Sequence, residues 1–574
     1  MARTIPFESQ AGMPRGRAIQ LLVAVLAVVG SAAAVITWRT SSSPPPRRSV
    51  PLWDEGSPYA NTRAGVRYVG DAACARCHAE IAATYRQHPM GRSLAPIDAA
   101  TATGGDEAGG RPLFEANGLE YSIERREGRV FHQETRRDSA GRLVARNEAE
   151  VQFVLGSGSQ GISYLIERDG FLFQSPISWY VQKRRWDLSP GYQRQNAHFD
   201  RPVGPLCLYC HANRVELVEG TLNRYQPPIF RGHAIGCERC HGPGELHVNR
   251  PTLVDGRDTT IVNPAGLEPA LRDAVCEQCH LLGRQRVVKL DRRDDDFRPG
   301  LPFDRVWSVF ERPEWTAADH FVGQVEQMRA SRCYQGSAGR LGCISCHDPH
   351  QRPAPEERVS AYRDRCLECH ADRGCRLPVA VRRQRGRAED CTGCHMPRLE
   401  TSDIAHSAAT DHRIPRRPDA GGPTGLSASP SPGSSTKTED PRRGEPPLVL
   451  FHRERMDEPQ RAGAERDLGI ALSNLGPETA AIALPLLDSA LASRPDDVAA
   501  WEAKGSALGR LNRLAEGLAA YQRALSRQPD RESAIVGAAN LAARSGRREE
   551  AIAGYRHVIA LNPWRAAYRT DLAA

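Results

Sequence analysis

The sequence predicts a mainly α protein with a small antiparallel β insertion and a C-terminal α-solenoid. A five-residue motif, Cys-x-x-Cys-His, occurs seven times between residues 66 and 415. A cysteine-free stretch inside that region carries strand and turn signals, which predict the β insertion. Beyond residue 447, helix-forming residues dominate and prolines recur every 34 residues, which predicts the solenoid.

A chain of 574 residues is long enough for two or three domains. Its composition changes at several points, and these changes set the expected boundaries. We expect a cytoplasmic N-terminus at 1–17, a membrane segment at 18–38, a tether at 39–65, the motif region at 66–415 with the β insertion at 112–182, a disordered linker at 416–447 and a helical-repeat domain at 448–574.

The Cys-x-x-Cys-His motif is the attachment signal for c-type haem. Its two thiols add across the two vinyl groups of the porphyrin, and its histidine binds the iron as the proximal ligand. Zinc sites also use Cys-x-x-Cys pairs, but zinc does not require a histidine after every pair, and here all seven pairs have one. The sequence therefore predicts seven covalently attached haems c, with attachment cysteines Cys74, Cys77, Cys207, Cys210, Cys237, Cys240, Cys276, Cys279, Cys343, Cys346, Cys366, Cys369, Cys391 and Cys394, and proximal ligands His78, His211, His241, His280, His347, His370 and His395.

Histidines outside the motifs are candidate distal ligands for the other face of each iron. Nine of them lie between residues 66 and 415, so the supply covers seven haems. A six-coordinate iron suits electron transfer, because little reorganises when the electron arrives. Met90 is an alternative to His88, and His198 is close enough to Cys207 to return to that haem. The expected distal ligands are His88, His233, His247, His320, His350, His406 and His412.

The β insertion is predicted from the long gap between the first two motifs. Segments 162–167 and 171–175 read as strands and flank Asp169-Gly170, a strong signal for a two-residue hairpin turn. We expect this insertion to shape the region without a redox role, and we expect His132 to lie on its surface. The later motifs begin only 23 to 67 residues apart, so their segments cannot each bury a core. Short helices and loops around stacked haems are therefore expected.

The formal charge of +8 does not predict a nucleic-acid partner. Each ferric haem c adds about −1 and each ferrous one about −2, which brings the holoprotein to about +1 oxidised and about −6 reduced. The excess of arginine is better explained as counter-charge for haem propionates. No basic tract with interleaved aromatic residues is present, so we expect no nucleic acid to bind.

Several of these segments resemble known haem proteins. The run Cys-Ile-Ser-Cys-His-Asp-Pro-His at 343–350 resembles haem segments of multihaem cytochromes c, as does Cys-Thr-Gly-Cys-His-Met-Pro at 391–397 followed by Thr-Asp-His at 410–412. The stretch 237–247 is similar to one in the tetrahaem cytochrome of ammonia oxidisers. The likeness covers about 66–415 and implies a multihaem cytochrome c domain in which His247, His350 and His412 are distal ligands. In the related pentahaem nitrite reductases a lysine typically replaces one proximal histidine, and none of the seven motifs here has that change.

Two cysteines remain outside the motifs, Cys333 and Cys375. In an oxidising compartment a spare pair of thiols most simply forms a disulfide, which would tie the fifth and sixth haem segments together. Free thiols are the alternative.

Residues 18–38 are apolar or small, and 21 such residues suffice to span a bilayer as a helix. The alternative is a cleaved signal peptide, with the small residues at 31–34 as the cleavage site. We favour an uncleaved anchor. Because bacteria attach haem c outside the cytoplasmic membrane, residues from 40 onward are expected in the periplasm.

The C-terminal prolines Pro495, Pro529 and Pro563 recur at the tetratricopeptide period, and Tyr521 and Tyr555 keep the same register. About three such repeats predict a short array that binds partner proteins. The sequence thus predicts a membrane-tethered periplasmic cytochrome that conducts electrons and is docked to redox partner proteins by its repeats, without a catalytic residue. The alternative is a multihaem reductase of a nitrogen or sulfur oxyanion with one open haem.

Overall fold

The computed structural model describes residues 57–97, 112–193, 196–249, 253–254, 256–312, 323–371, 375, 377–384, 390–398, 410–416 and 447–574. Within these residues, no helix has the length and apolar character needed to cross a membrane. The expected anchor at 18–38 lies outside the described residues, as do the N-terminus at 1–17, most of the tether and nearly all of the linker. The described residues belong to one compact unit.

The helices of the motif region are short, and five of the eleven in the described residues end at a motif histidine. His211, His241, His280, His370 and His395 are each the last residue of a helix. The helices are α1 (Asp71–Ala75), α2 (Ala79–Tyr85), α3 (Pro205–His211), α4 (Glu238–His241), α5 (Glu245–Asn249), α6 (Pro269–His280), α7 (Gln324–Ala330), α8 (Arg332–Gly336), α9 (Arg358–His370), α10 (Val379–Gln384) and α11 (Cys391–His395).

Two antiparallel sheets lie between the first and second motifs. The first has strand order β2-β3-β4-β5 and the second β1-β6-β7-β8-β11, with β9 paired to β7 and β10 paired to β9. Their strands are β1 (Leu94–Pro96), β2 (Pro112–Ala116), β3 (Leu119–Arg126), β4 (Arg129–Arg137), β5 (Leu143–Val151), β6 (Phe153–Leu155), β7 (Gly161–Arg168), β8 (Phe171–Gln174), β9 (Ile177–Tyr180), β10 (Arg185–Leu188) and β11 (Arg201–Pro202).

The expected hairpin at Asp169-Gly170 is present. Arg168 pairs with Phe171, so Asp169 and Gly170 alone form the turn. Both turn residues have positive φ, 52° for Asp169 and 84° for Gly170. Glycine at the second position accepts this backbone conformation without steric cost. The sheets extend beyond the predicted 112–182, because β1 and β11 also pair with strands of the second sheet.

His132 is not the surface histidine that the sequence suggested. It lies in β4 with no exposed area, and its Nδ1 is 2.7 Å from the hydroxyl of Ser175. The ring of Tyr164 packs edge-on against it at 4.7 Å between centroids. Ser175 and Tyr164 belong to the second-sheet region, which covers this face of the first sheet. Burial lowers the pKa of His132 to about 3.

Two smaller sheets follow. Strands β12 (Leu253–Val254) and β13 (Arg257–Asp258) form a short hairpin beside the third motif. A three-stranded sheet has the order β14-β15-β16 and joins distant parts of the chain, with strands β14 (Gln285–Val288), β15 (Trp307–Glu311) and β16 (Val449–Leu450).

The C-terminal residues form a row of helices in which each helix packs on the next. The starts of α14 and α16 are 34 residues apart, as are those of α15 and α17. Gly505 faces the ring of Tyr521, and a Cβ there would come within 2.8 Å of a ring carbon, so only glycine permits this packing. The helices are α12 (Glu458–Ser473), α13 (Pro477–Ser493), α14 (Val498–Arg510), α15 (Leu514–Leu525), α16 (Glu532–Arg544), α17 (Arg548–Leu561) and α18 (Ala566–Ala573).

These helices share a core with the motif region, whereas the sequence suggested two independent cores separated by a linker. Phe310 of β15 packs in one buried cluster with Leu472 and Leu487 of the C-terminal helices. The buried hydroxyl of Ser308 donates to Asp467 Oδ2 at 2.7 Å. The short β16 strand, just before the helices, completes the sheet of the motif region.

A second contact lies at the far end of the row of helices. Glu532, which has no exposed area, accepts hydrogen bonds from the backbone N–H of Leu222 at 2.9 Å and from the hydroxyl of Tyr568 at 2.6 Å. Asn562 donates to Glu532 and to Asn223. A buried polar network of this kind is stable only when each of its groups keeps its hydrogen-bond partner. The helices are therefore attached to the motif region at both ends.

Candidate functional site

One continuous cavity of about 3730 Å³ runs through the motif region, and residues from all seven motifs line it. A pocket for one drug-sized ligand measures about 300–1,000 Å³, so this cavity has room for several large groups. Apolar side chains such as Ile81, Leu206 and Leu367 line it and are 46%, 45% and 40% exposed. Such side chains need a large apolar partner, as a porphyrin would be.

The local backbone explains why each motif presents its three groups together. In a helical turn, residues i, i+3 and i+4 lie on one face, which is the spacing of the two cysteines and the histidine. The backbone N–H of the histidine bonds to the carbonyl of the first cysteine at His78, His241 and His347, with N···O distances of 3.0–3.1 Å. The turn is therefore formed even where no longer helix follows, and both thiols and the imidazole point to one side.

Three motif histidines face a second imidazole across the cavity. The ring centroids are 6.3 Å apart for His78 and His247, and the rings are nearly parallel at 16°. His241 and His350 are 5.9 Å apart at 6°. Two imidazoles bound to one metal ion have centroids roughly 6 Å apart, given metal–nitrogen bonds of about 2 Å. Each of these two pairs therefore has the spacing that would allow both of its imidazoles to bind one metal ion.

The third facing pair is formed by His347 and His412, with centroids 6.4 Å apart and rings inclined at 33°. Burial, and secondly the neighbouring His412, lower the pKa of His347 to about 4. The pKa of His412 is also lowered by burial. Both rings are therefore neutral near pH 7, which is the state that binds a metal.

Hydrogen bonds at Nδ1 fix which ring nitrogen is available. The Nδ1 atoms of His241, His395 and His412 lie 2.8–2.9 Å from the backbone carbonyls of Val262, Pro415 and Thr410, respectively. Since a carbonyl accepts only, each Nδ1 carries the proton and each Nε2 is left to bind a metal. His247 Nδ1 has the same arrangement with Asp258 Oδ2 at 2.6 Å.

His88 differs from these ligands, although it also lines the cavity. Its Nδ1 accepts a hydrogen bond from the backbone N–H of Met90 at 3.2 Å. A neutral imidazole that accepts at Nδ1 carries its proton on Nε2, the nitrogen that is left free to bind a metal in the histidines above. Met90, the alternative at this position, lines the cavity as well.

The remaining candidates have other surroundings. His233 packs against the rings of Phe230 and Phe153, at 5.6 and 6.0 Å between centroids, and is not among the residues that line the cavity. His198 forms an ion pair with Glu134 in the β insertion. His320 and His406 lie outside the described residues.

Thiols of different motifs contact one another. Cys74 interacts with Cys237, which joins the first and third motifs. The other thiol pairs join the second motif to the fourth, the fourth to the fifth and the sixth to the seventh, through Cys210 and Cys279, Cys276 and Cys343, and Cys366 and Cys391. Along the cavity, the motifs therefore follow one another in an order that differs from their order in the sequence.

Cys333 and Cys375, the pair expected to form a disulfide, are not bonded to each other in the structure, and their pairing stays a prediction. Cys333 lies in α8, and burial, together with the nearby Cys369 of the sixth motif, raises the pKa of its thiol. Cys375 is exposed. Both residues line the cavity.

Two family models match parts of the chain. Residues 185–242 match the model described as cytochrome c554 and c-prime, and residues 337–374 match the model described as doubled CXXCH motif. No curated protein matches the chain. The matched segments contain the second, third, fifth and sixth motifs in whole or in part. Apolar lining, paired neutral imidazoles and adjacent thiols all fit covalently bound haem c, and together with the two matches they support a multihaem c-type cytochrome that acts in electron transfer.

Proposed function

We propose that this chain is a periplasmic electron conduit with seven covalently bound haems c, one at each motif. The observation that carries the proposal is the continuous cavity onto which residues of all seven motifs open. Haem iron accepts and releases single electrons, which is the chemistry that the bound group supplies.

The three facing histidine pairs would hold three of the irons, each with a ligand on both faces. Their Nδ1 hydrogen bonds to carbonyls or to Asp258 fix the ring orientation and leave Nε2 directed at the metal. Because the ligands are the same in both oxidation states, little moves when an electron arrives or leaves. This property favours conduction over catalysis.

The contacts between thiols support a definite electron path. They join the first motif to the third, the second to the fourth, and the fourth to the fifth. Cys240 is electrostatically coupled to Cys279, which brings the third motif beside the fourth, and Cys366 is coupled to Cys346, which brings the sixth beside the fifth. The path runs through motifs one, three, four, five, six and seven, and the second motif joins it at the fourth.

We further propose that residues 18–38 anchor the chain in the cytoplasmic membrane and that α13–α18 are tetratricopeptide repeats that dock redox partner proteins. The 34-residue offsets and the contact of Gly505 with Tyr521 support the repeat assignment. One edge of the array, near 528–532 and 562–566, contacts the chain's own residues 219–223. A partner would therefore bind a different face. Sequencing the mature N-terminus from the membrane fraction tests the anchor, because an uncleaved chain keeps residues 1–17.

A reductive titration of the exported protein tests the conduit. It should take up seven electrons per chain, and low-temperature EPR should show low-spin ferric haems. His412→Ala should convert one low-spin haem to high spin, because His347 then loses the imidazole that faces it. His557→Ala, an exposed histidine of α17, is the matched control and should change nothing. A wild-type high-spin fraction near one seventh that binds nitrite would favour a reductase instead.

A further inference from the structure

The spacer residues of the second, third and fourth motifs hydrogen-bond to one another. The hydroxyl of Tyr209 donates to Gln278 Oε1 at 2.9 Å, and Gln278 Nε2 donates to the carbonyl of Arg239 at 2.9 Å. Arg239 closes the ring by donating from Nη2 to the carbonyl of Tyr209 at 2.8 Å. Each of these residues stands between the two cysteines of its motif, so three attachment sites are locked together.

A second arginine joins this ring. Arg286 of β14 donates from Nη1 to the carbonyl of Gln278 at 2.7 Å. Its guanidinium carbon lies 3.9 Å from the ring centroid of Trp307 and 5.5 Å from that of Tyr209. The guanidinium of Arg239 lies 4.0 Å from the Tyr209 centroid. We call Arg239 and Arg286 the arginine pair.

The arginine pair carries two positive charges without a carboxylate partner among the described residues. Arg239 Nε and both Nε and Nη2 of Arg286 are buried without a hydrogen-bond acceptor. Other buried arginines of this protein are neutralised, as Arg329 is by Glu277 at 3.1 Å and Arg466 is by Asp497 at 2.7 Å. A buried charge without a counter-charge is costly, and contact with aromatic faces offsets only part of that cost.

We propose that the arginine pair raises the reduction potentials of the haems at the second, third and fourth motifs, an inference that rests on the proposed function. The half-reaction adds one electron to ferric iron and gives ferrous iron, and no bond forms or breaks. The local charge falls by one, so nearby positive charge stabilises the reduced form, and a low-dielectric interior strengthens this effect. Electrons that enter from either end then collect at the fourth motif, where the branch from the second joins the path.

Spectroelectrochemical titration of the holoprotein, with dithionite as reductant and ferricyanide as oxidant, tests the proposal. Arg286→Gln keeps a donor for the carbonyl of Gln278 but removes the charge, and Arg239→Gln does the same beside Tyr209. Each should lower the midpoint potentials of two or three haems, and at least one by a tenfold change in its reduction equilibrium, about 59 mV for one electron. Arg286→Lys keeps the charge and should restore most of the potential.

The matched control is Arg284→Gln, two residues away on the same segment and exposed, where solvent screens the charge. Equal shifts in Arg284→Gln and Arg286→Gln would overturn the proposal, as would a shift in Arg286→Lys as large as in Arg286→Gln, which would mean that the side chain acts through packing. Electron uptake per chain is measured in the same titration. Full uptake with unchanged potentials refutes this inference alone, whereas no uptake refutes the proposed function.

Discussion

Helix α9 of the motif region and helix α14 of the C-terminal region have the same length but obtain their cores from different sources. Helix α9 spans 13 residues and buries none of them, and its Leu367 is 40% exposed. Helix α14, also of 13 residues, buries six, including Ala500 and Ala507 with no exposed area. Helix α14 therefore packs on side chains, whereas helix α9 leaves apolar surface for a bound group. A helix such as α14 folds from the chain alone, whereas a helix such as α9 requires the cofactor.

Removal of haem should have the largest effect on the difference between these two helices. If the full chain is made without a system that attaches haem c, helix α9 should lose nearly all amide protection in hydrogen exchange, because the apolar group that would cover it is missing. Helices α13–α17 should keep theirs. The holoprotein is the reference for both. Strong protection of α9 in haem-free protein would show that this helix is covered by side chains and not by the cofactor.

Phe310→Ala should have the next largest effect, because Phe310 is 1% exposed and lies in the cluster that both regions share. We expect the free energy of unfolding to fall by about 3–5 kcal/mol. The haem absorbance and the helical circular dichroism should shift together in denaturant titrations. Ile482→Ala, at an exposed position of α13, should change the free energy by less than about 0.5 kcal/mol. Separate transitions in the wild type would mean that the two cores are independent.

The β insertion also has a side-chain core, and His132 should give it a distinctive pH dependence. Its folded pKa of about 3 lies below the ordinary value of 6.5, so the unfolded chain binds more protons between these values. The contribution of His132 is complete above pH 6.5 and is lost as pH falls towards 3. The loss is about 1.4 kcal/mol per pH unit, or roughly 2 kcal/mol at pH 5. His132→Gln should flatten this slope in denaturant titrations at several pH values, and an unchanged slope would contradict the assignment.

Glu532→Gln should have the smallest effect of the series. The amide keeps one acceptor oxygen but directs an N–H at donors such as Leu222 N and Tyr568, so we expect a loss of about 1 kcal/mol. The same thermal and chemical denaturation measurements apply. Glu549→Gln, exposed in the first turn of α17, is the control and should be neutral. Equal behaviour of the two variants would show that the contact at Glu532 does not hold the helices in place.

The attachment sites could be predicted from sequence because each is complete within five residues. The hairpin at Asp169-Gly170 could be predicted for the same reason. The pairs of facing histidines were harder to predict from sequence, since His78 and His247 come together only through the tertiary fold. The sequence supplied His247, His350 and His412 as candidates, but it did not say which motif each one faces. Pairing of this kind depends on how the segments pack, and no local pattern encodes it.

Other features escaped prediction for identifiable reasons. The strand that contains His132 has buried polar residues at 132–134, so its sequence does not alternate and gives no sign of the second sheet above it. The contact between the C-terminal helices and the motif region uses small sets of polar groups, such as Asn223, Glu532 and Asn562, that look like ordinary surface residues in sequence. Sequence periodicity reports the face that a helix buries, but not the element that covers it.

The mass of the intact exported protein tests the central claim most directly, because that claim is that the motif region is built on attached cofactor. The polypeptide accounts for 63.1 kDa before any N-terminal processing. We expect an additional mass of roughly 4.3 kDa, which corresponds to seven haems, one on each Cys-x-x-Cys-His motif. A folded, soluble protein whose mass equals that of the polypeptide alone would contradict it.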